Sequence, residues 1–196
     1  ATGPCVAAQA VVTVAESAAP FAGTDGAVTF CADAAPTALL PSLAGAGAGG
    51  AWTGPGGTPH SGVYDPAVDG PGVYTYTLTG TPPCVSDQAV VTVTENATPW
   101  AGTDGALDIC SDAATVALFG MLGGTPDAGG TWTTPGGGAF GGTFDPAIDA
   151  PGPYVYTVNG IAPCGSDQSV VLVTIHAAPN AGVAGPLALC GDSPPT

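Results

Sequence analysis

An all-β fold, built from small sandwich domains of about seven short strands each, follows from three observations. Apolar residues alternate with polar ones at a period of two along most of the ordered-looking stretches. Clusters of Gly and Pro separate those stretches at short intervals. The whole pattern then returns after 79–80 residues. Gly23-Thr24-Asp25-Gly26 recurs as Gly102-Thr103-Asp104-Gly105, Trp52 as Trp132, and Ser86-Asp87-Gln88 as Ser166-Asp167-Gln168. A period of this length marks an array of small domains.

The repeat frame sets the domain boundaries. Residues 1–17 read as the C-terminal strand of a preceding repeat, 18–96 and 97–176 as two whole repeats, and 177–196 as the start of a following one. Ala181-Gly182 and Cys190 match Ala22-Gly23 and Cys31.

Within a repeat the elements come in order. Val28 and Phe30 share one face of a first strand, as do Leu107 and Ile109. Thr37 to Leu43 and Thr115 to Leu122 place apolar residues three and four apart, which predicts one helical turn capping the core. Trp52 and Trp132 each follow a Gly pair and begin a middle strand. Tyr74, Tyr76 and Leu78 lie on one face of the next. Ala89 to Thr94 and Val170 to Ile175 are β-branched runs that read as well-buried final strands. The run Gln9 to Glu16 carries the same signal.

Charge narrows the partners. The 196 residues hold no Lys or Arg and carry a net charge of −15. Nucleic-acid binding needs cations against phosphate, and attraction to an anionic membrane surface needs them against lipid headgroups; both are excluded. Absent lysine also forbids Lys–Asn isopeptide crosslinks.

Cysteine supplies the alternative staple. The six cysteines lie at 5, 31, 84, 110, 164 and 190, with 26 residues separating 5 from 31, 84 from 110 and 164 from 190. Such regularity implies a disulfide framework and an extracellular location. Repeat symmetry leaves two simple schemes: pairing within repeats, or closure of the 26-residue gaps. The run from Gln9 to Glu16 would hold Cys5 a strand length, roughly 25 Å, from Cys31, against a disulfide reach of about 6 Å. The expected pairs are therefore Cys31–Cys84 and Cys110–Cys164, at the rim of the sandwich, with Cys5 and Cys190 pairing outside this stretch of chain.

Aspartate is the one recurring candidate for ligand chemistry. Asp25, Asp65 and Asp69, with Asp104, Asp145 and Asp149, are weak calcium candidates, because carboxylates flanking tight turns can converge on a cation. The competing reading is that Asp-Pro and Asp-Gly build turns by bonding their own backbone. No cofactor is expected beyond calcium held weakly by so acidic a surface. No catalytic residue is expected either: His60 aligns with Phe140 and His176 with Asn96, so no histidine recurs to support a Ser-His-Asp site, and both read as surface residues. Trp52, Trp132, Tyr64 and Phe144 read as core in preference to a sugar-binding face. Trp100 is read as filling a joint between repeats. Asn96-Ala97-Thr98 matches a glycosylation sequon once.

Two resemblances complete the expectation. Asp69-Gly70-Pro71-Gly72-Val73-Tyr74 resembles the tyrosine corner of immunoglobulin-like domains, with Tyr74 and Tyr154 as corner tyrosines. The predicted fold is thus tandem immunoglobulin-like β-sandwich domains arranged end to end. The string running from Ala101-Gly102-Thr103-Asp104-Gly105 through Gly129-Gly130-Thr131-Trp132 and Phe144-Asp145-Pro146-Ala147 to Pro163-Cys164 resembles the repeats of giant cell-surface adhesins of gliding Bacteroidota, exported by type IX secretion. Residues 22–94 match it with departures between Ala44 and Gly50. That resemblance implies a non-enzymatic segment of an extracellular adhesin filament, serving surface attachment and gliding motility. Its partners would be neighbouring repeats and an unidentified surface ligand or glycan. A self-associating fibre or surface-layer protein is the alternative, and a carbohydrate-binding accessory module the third.

Overall fold

In the computed structural model, residues 3–4, 9–182 and 184–185 are described. They are all-β, with only short 3-10 turns. The chain divides into two compact units: Ala1–Thr98 with Gly160–Gly165, and Pro99–Asn159 with Ser166–Thr196. The boundary falls two residues beyond the one read from the repeat. The six-residue loop 160–165, second-repeat in sequence, folds with the first unit.

The first repeat forms seven strands: β1 (Gly26–Cys31), β2 (Thr37–Ala38), β3 (Ala51–Thr53), β4 (Pro59–His60), β5 (Val63–Tyr64), β6 (Gly72–Leu78) and β7 (Asp87–Asn96). Five make a sheet in the order β1-β7-β6-β3-β4, and β2 pairs with β5. The second repeat reproduces this with β8 (Gly105–Cys110), β9 (Val116–Ala117), β10 (Thr131–Thr133), β11 (Ala139–Phe140), β12 (Thr143–Phe144), β13 (Gly152–Asn159) and β14 (Ser166–His176). Its sheet order is β11-β10-β13-β14-β8, and β9 pairs with β12.

One feature of the register was not anticipated from the pattern of residues. β1 runs parallel to β7, with Gly26 opposite Val91 and Cys31 opposite Asn96. β8 runs parallel to β14 in the same way, with Cys110 opposite His176. All other pairings within the five-stranded sheets are antiparallel.

The final strands are half-buried instead of buried throughout. Ala89, Val91 and Val93 face the core, while Thr92 and Thr94 face solvent. In β14, Val171 and Val173 are inside and Leu172 is outside. Each enclosed valine contributes about 1.5–3 kcal/mol of apolar burial. The helical turns are present as 3-10 turns at Leu40–Ser42 and Leu118–Met121. Around them Leu39, Leu43, Leu118 and Leu122 are buried, as the spacing of three and four requires.

The core of each unit is aromatic. In the first, Tyr64 stacks on Phe30 at 5.0 Å and meets Tyr74 edge-on at 5.5 Å, joining β5 to the larger sheet. In the second, Phe144 meets Tyr154 edge-on at 5.4 Å. Trp52 and Trp132 pack against Tyr76 and Tyr156 at 5.0 Å and are buried, so these aromatics are core.

Trp100 is 46% exposed and lies over Gly124 in the second unit, as Phe21 lies over Gly45 in the first. Residues 9–17 differ from expectation: they form no strand, and Val11, Val12 and Val14 are 82–90% exposed. The reason is physical. A strand exists only by pairing, and no described strand pairs with this segment. Residues 177–182 likewise form no strand. Cys5 and Cys190 lie outside the described residues.

Candidate functional site

The feature with most chemistry is a disulfide between Cys31 and Cys164, with Cα atoms 5.1 Å apart and 133 residues between them in sequence. It lies within the first unit. This corrects both expected pairs: Cys31 does not join Cys84, Cys110 does not join Cys164, and Cys84 and Cys110 are free thiols.

The parallel pairing of β1 with β7 explains the correction. Cys31 ends β1 beside Asn96, at the far end of β7. Cys84 stands just before Asp87, where β7 begins. A ten-residue strand separates them, about 30 Å at its usual rise. An antiparallel β1 would bring both to one pole, as the expected pair requires. Cys110 and Cys164 are held apart by β14 in the same way.

The local structure positions both halves of the bond. Cys31 is the last residue of the ladder with β7, and the Ala32 N–H donates to the Asn96 carbonyl at 3.0 Å. Cys164 closes a tight turn in which its N–H donates to the Ile161 carbonyl at 2.9 Å, directly after a cis Ala162–Pro163 bond. The Asn96 side-chain amide donates to the carbonyls of Ile161 at 3.3 Å and Ala162 at 2.8 Å, pinning this loop beside Cys31. Both cysteines are only 8% exposed, so the bond is enclosed and not on a rim. The sequon reading of Asn96 weakens accordingly, because its amide nitrogen is already engaged.

The recurring aspartates bond backbone. Asp25 and Asp104 accept from the N–H groups of Val90 at 2.9 Å and Val170 at 2.8 Å, fastening the start of the first strand of each repeat to its last. Asp65 accepts from Ala67 and Asp145 from Ala147, two residues on in each case. Asp69 and Asp149 accept from the N–H groups of Asp65 and Asp145, at 2.8 Å each. These are Asx turns closed by a second carboxylate. Among the described residues no three metal-ligating side chains gather, so Asp25 does not join Asp65 and Asp69, nor Asp104 join Asp145 and Asp149.

Hydrogen bonds hold the Asp69 carboxyl below the usual carboxylate range. The Asp65 N–H has the largest effect, burial opposes it, and His60 adds to it. His60 is not the surface residue expected. Its side chain is 11% exposed, it packs edge-on against Tyr74 at 4.8 Å, and its Nε2 lies 3.3 Å from Asp69. Because Nδ1 accepts from the Gly62 N–H at 3.0 Å, the ring proton belongs on Nε2, facing Asp69. His176 is exposed and lies 3.2 Å from Asp108.

The corner tyrosines are in place. The Tyr74 hydroxyl donates to the Gly70 carbonyl and the Tyr154 hydroxyl to the Ala150 carbonyl, both at 2.7 Å. Burial raises the pKa of both phenols, with nearby carboxylates adding to the effect.

Reasoning from sequence missed a second rivet two residues on. The Tyr76 hydroxyl donates to the Gly47 carbonyl and accepts from the Gly50 N–H, both at 2.7 Å. Tyr156 does the same with Asp127 and Gly130, at 2.7 and 2.8 Å. A Cβ at Gly50 or Gly130 would come within 2.5 Å of the tyrosine ring, so these two glycines admit the rivet. The recurrence of a Gly pair before each Trp was the available signal.

The recurring aspartates and tyrosines thus spend their polar atoms on backbone. No protein-family model matches the chain, and no curated protein sequence matches it.

Proposed function

We propose that this chain is a non-enzymatic structural segment of an extracellular adhesin filament, made of tandem immunoglobulin-like domains. The observation that carries the reading is the use of the repeated polar side chains. The recurring candidates Asp25, Asp65, Asp69, Tyr74 and Tyr76, and their partners in the second repeat, bond backbone within their own repeat. A motif used this way specifies a scaffold, and repeating a scaffold extends a surface.

The immunoglobulin-like assignment is supported by the tyrosine corner and by seven strands in two sheets per repeat. An extracellular location is supported by the disulfide, which an oxidising compartment preserves. Among the described residues no helix is long and apolar enough to cross a membrane. The charge of −15 supports a partner other than nucleic acid or an anionic membrane surface.

The alternative of a self-associating fibre draws on one specific observation: Val11, Val12 and Val14 carry a strand pattern and stand exposed. Small-angle scattering over a range of concentrations separates the readings. The filament segment stays monomeric and extended throughout. Growth of the particle with concentration favours the fibre, and saturable binding to a glycan array favours an accessory module. Turnover of any substrate lost in a single-residue variant contradicts the proposal.

A further inference from the structure

We propose that Cys110 is one half of a second staple of the Cys31–Cys164 kind, and that its partner is the loop cysteine of a further repeat of this same type following it in a chain. The chain then carries a rule: a strand-end cysteine bonds the loop cysteine one repeat later. This stands on the repeat geometry and holds whether or not the filament is an adhesin.

The two strand ends are built alike. Cys110 sits opposite His176 as Cys31 sits opposite Asn96. The Ser111 N–H donates to the His176 carbonyl at 2.9 Å, as Ala32 donates to Asn96 at 3.0 Å. Ala113 donates to the Cys110 carbonyl at 3.1 Å, as Ala34 donates to Cys31 at 2.9 Å. The difference is cover: Cys31 is buried beside the bonded loop, while Cys110 is exposed.

The complementary half also appears in unbonded form. Cys84 closes its turn on the Thr81 carbonyl at 2.9 Å, as Cys164 closes on Ile161. Its thiol donates to the Ser17 carbonyl at 3.4 Å, and the Cys164 sulfur lies 3.5 Å from the carbonyl of Asn96, the residue matching Ser17. One chain thus holds a closed staple, a bare strand-end half and a bare loop half on a common scaffold. At the open end His176 occupies the place of Asn96, with its Nε2 lying 3.2 Å from Asp108.

Closing the second staple removes two protons and two electrons from two thiols. A disulfide oxidant such as oxidised glutathione accepts them and is released as two thiols.

The test lengthens the full chain by inserting a second copy of residues 97–176 directly after His176. The protein is refolded in a glutathione redox buffer, alkylated and mapped without reduction. Cys110 should lose its alkylation and appear joined to the loop cysteine of the added repeat, with Cys31–Cys164 intact. The strand-end cysteine of the added repeat should become the reactive thiol. In the lengthened chain carrying Cys110→Ser, the added loop cysteine should stay alkylatable. A second insertion, copying residues 18–96, gives an independent reading. Cys110 alkylated in both lengthened chains, or joined to any other cysteine in either, overturns the proposal.

Discussion

The two repeats share a backbone but finish it with different chemistry. In the first, the Tyr64 hydroxyl donates to Glu95 at 2.6 Å and His60 faces Asp69. In the second, Phe144 and Ile175 stand where Tyr64 and Glu95 do, and Phe140 replaces His60, packing on Tyr154 at 4.7 Å. Both partners of the Tyr–Glu contact change together, so neither repeat is left with a buried hydroxyl lacking a partner. The rivets at Tyr74 and Tyr76 do not change. Bonds to backbone are fixed by the fold, whereas a side-chain pair can be replaced if both members go. The repeats differ also in closure: the strand end at Cys31 is bonded and the one at Cys110 is not.

Removing that closure should have the largest effect. A bond spanning 133 residues contributes about 5 kcal/mol in the chain-entropy model. Cys31→Ser should lower the unfolding free energy by an amount of that order. It should also raise amide exchange at Cys31–Ala34 to the level at Cys110–Ala113. Unchanged denaturation midpoints would remove the asymmetry between the strand ends.

Loss of a rivet comes next and should be equal in both repeats. Tyr76→Phe and Tyr156→Phe each strand a carbonyl and an N–H, costing about 1–3 kcal/mol. Urea unfolding with exchange at Gly50 and Gly130 measures both. A large cost in one repeat alone would mean that the scaffold is not shared.

The matched pair should then show coupling. Tyr64→Phe leaves Glu95 unpaired, and Phe144→Tyr places a hydroxyl against Ile175. Each should cost about 1–2 kcal/mol, while Tyr64→Phe with Glu95→Ile should recover much of the loss. Simple additivity in that double-mutant cycle would show the two positions to be independent.

The smallest effects are on pH dependence. The Asp69 carboxyl is depressed, so its contribution is present above the unfolded value near 3.8 and is lost as pH falls below it. His60→Phe, which imports the second repeat's residue, should weaken this acid sensitivity. At high pH the sign reverses. Burial, then Glu95, raises Tyr64, so its contribution is full below the ordinary phenol value of 10.0 and fades as pH rises well beyond it. Tyr64→Phe with Glu95→Ile should make the first repeat more tolerant of alkali. Thermal melts across pH test both, and identical profiles for parent and variants would contradict them.

Much of this was legible in the residues. Alternation marked β1, β6 and their partners, the spacing of three and four marked the turns at Leu40 and Leu118, and the corner tyrosines announced themselves by their acidic and glycine neighbours. What was hidden was relational. Period-two alternation reads the same for parallel and antiparallel pairing, so nothing around Val28 and Phe30 disclosed that β1 runs beside β7 in the same direction. The disulfide assignment inherited that ambiguity and failed. The aspartates were ambiguous for a different reason: a carboxylate that closes a turn and one that awaits a cation occupy the same sequence. His60 was misjudged because its only visible property was failure to recur, and Phe140 fills the same place by packing alone.

Disulfide mapping of the native protein tests the central claim most directly. Cleavage at aspartate or by chymotrypsin is required, since the chain has no tryptic site. The account predicts a peptide joining Cys31 to Cys164, with Cys84 and Cys110 not bonded to either. A peptide joining Cys31 to Cys84 would contradict it, because those residues could meet only if β1 ran against β7.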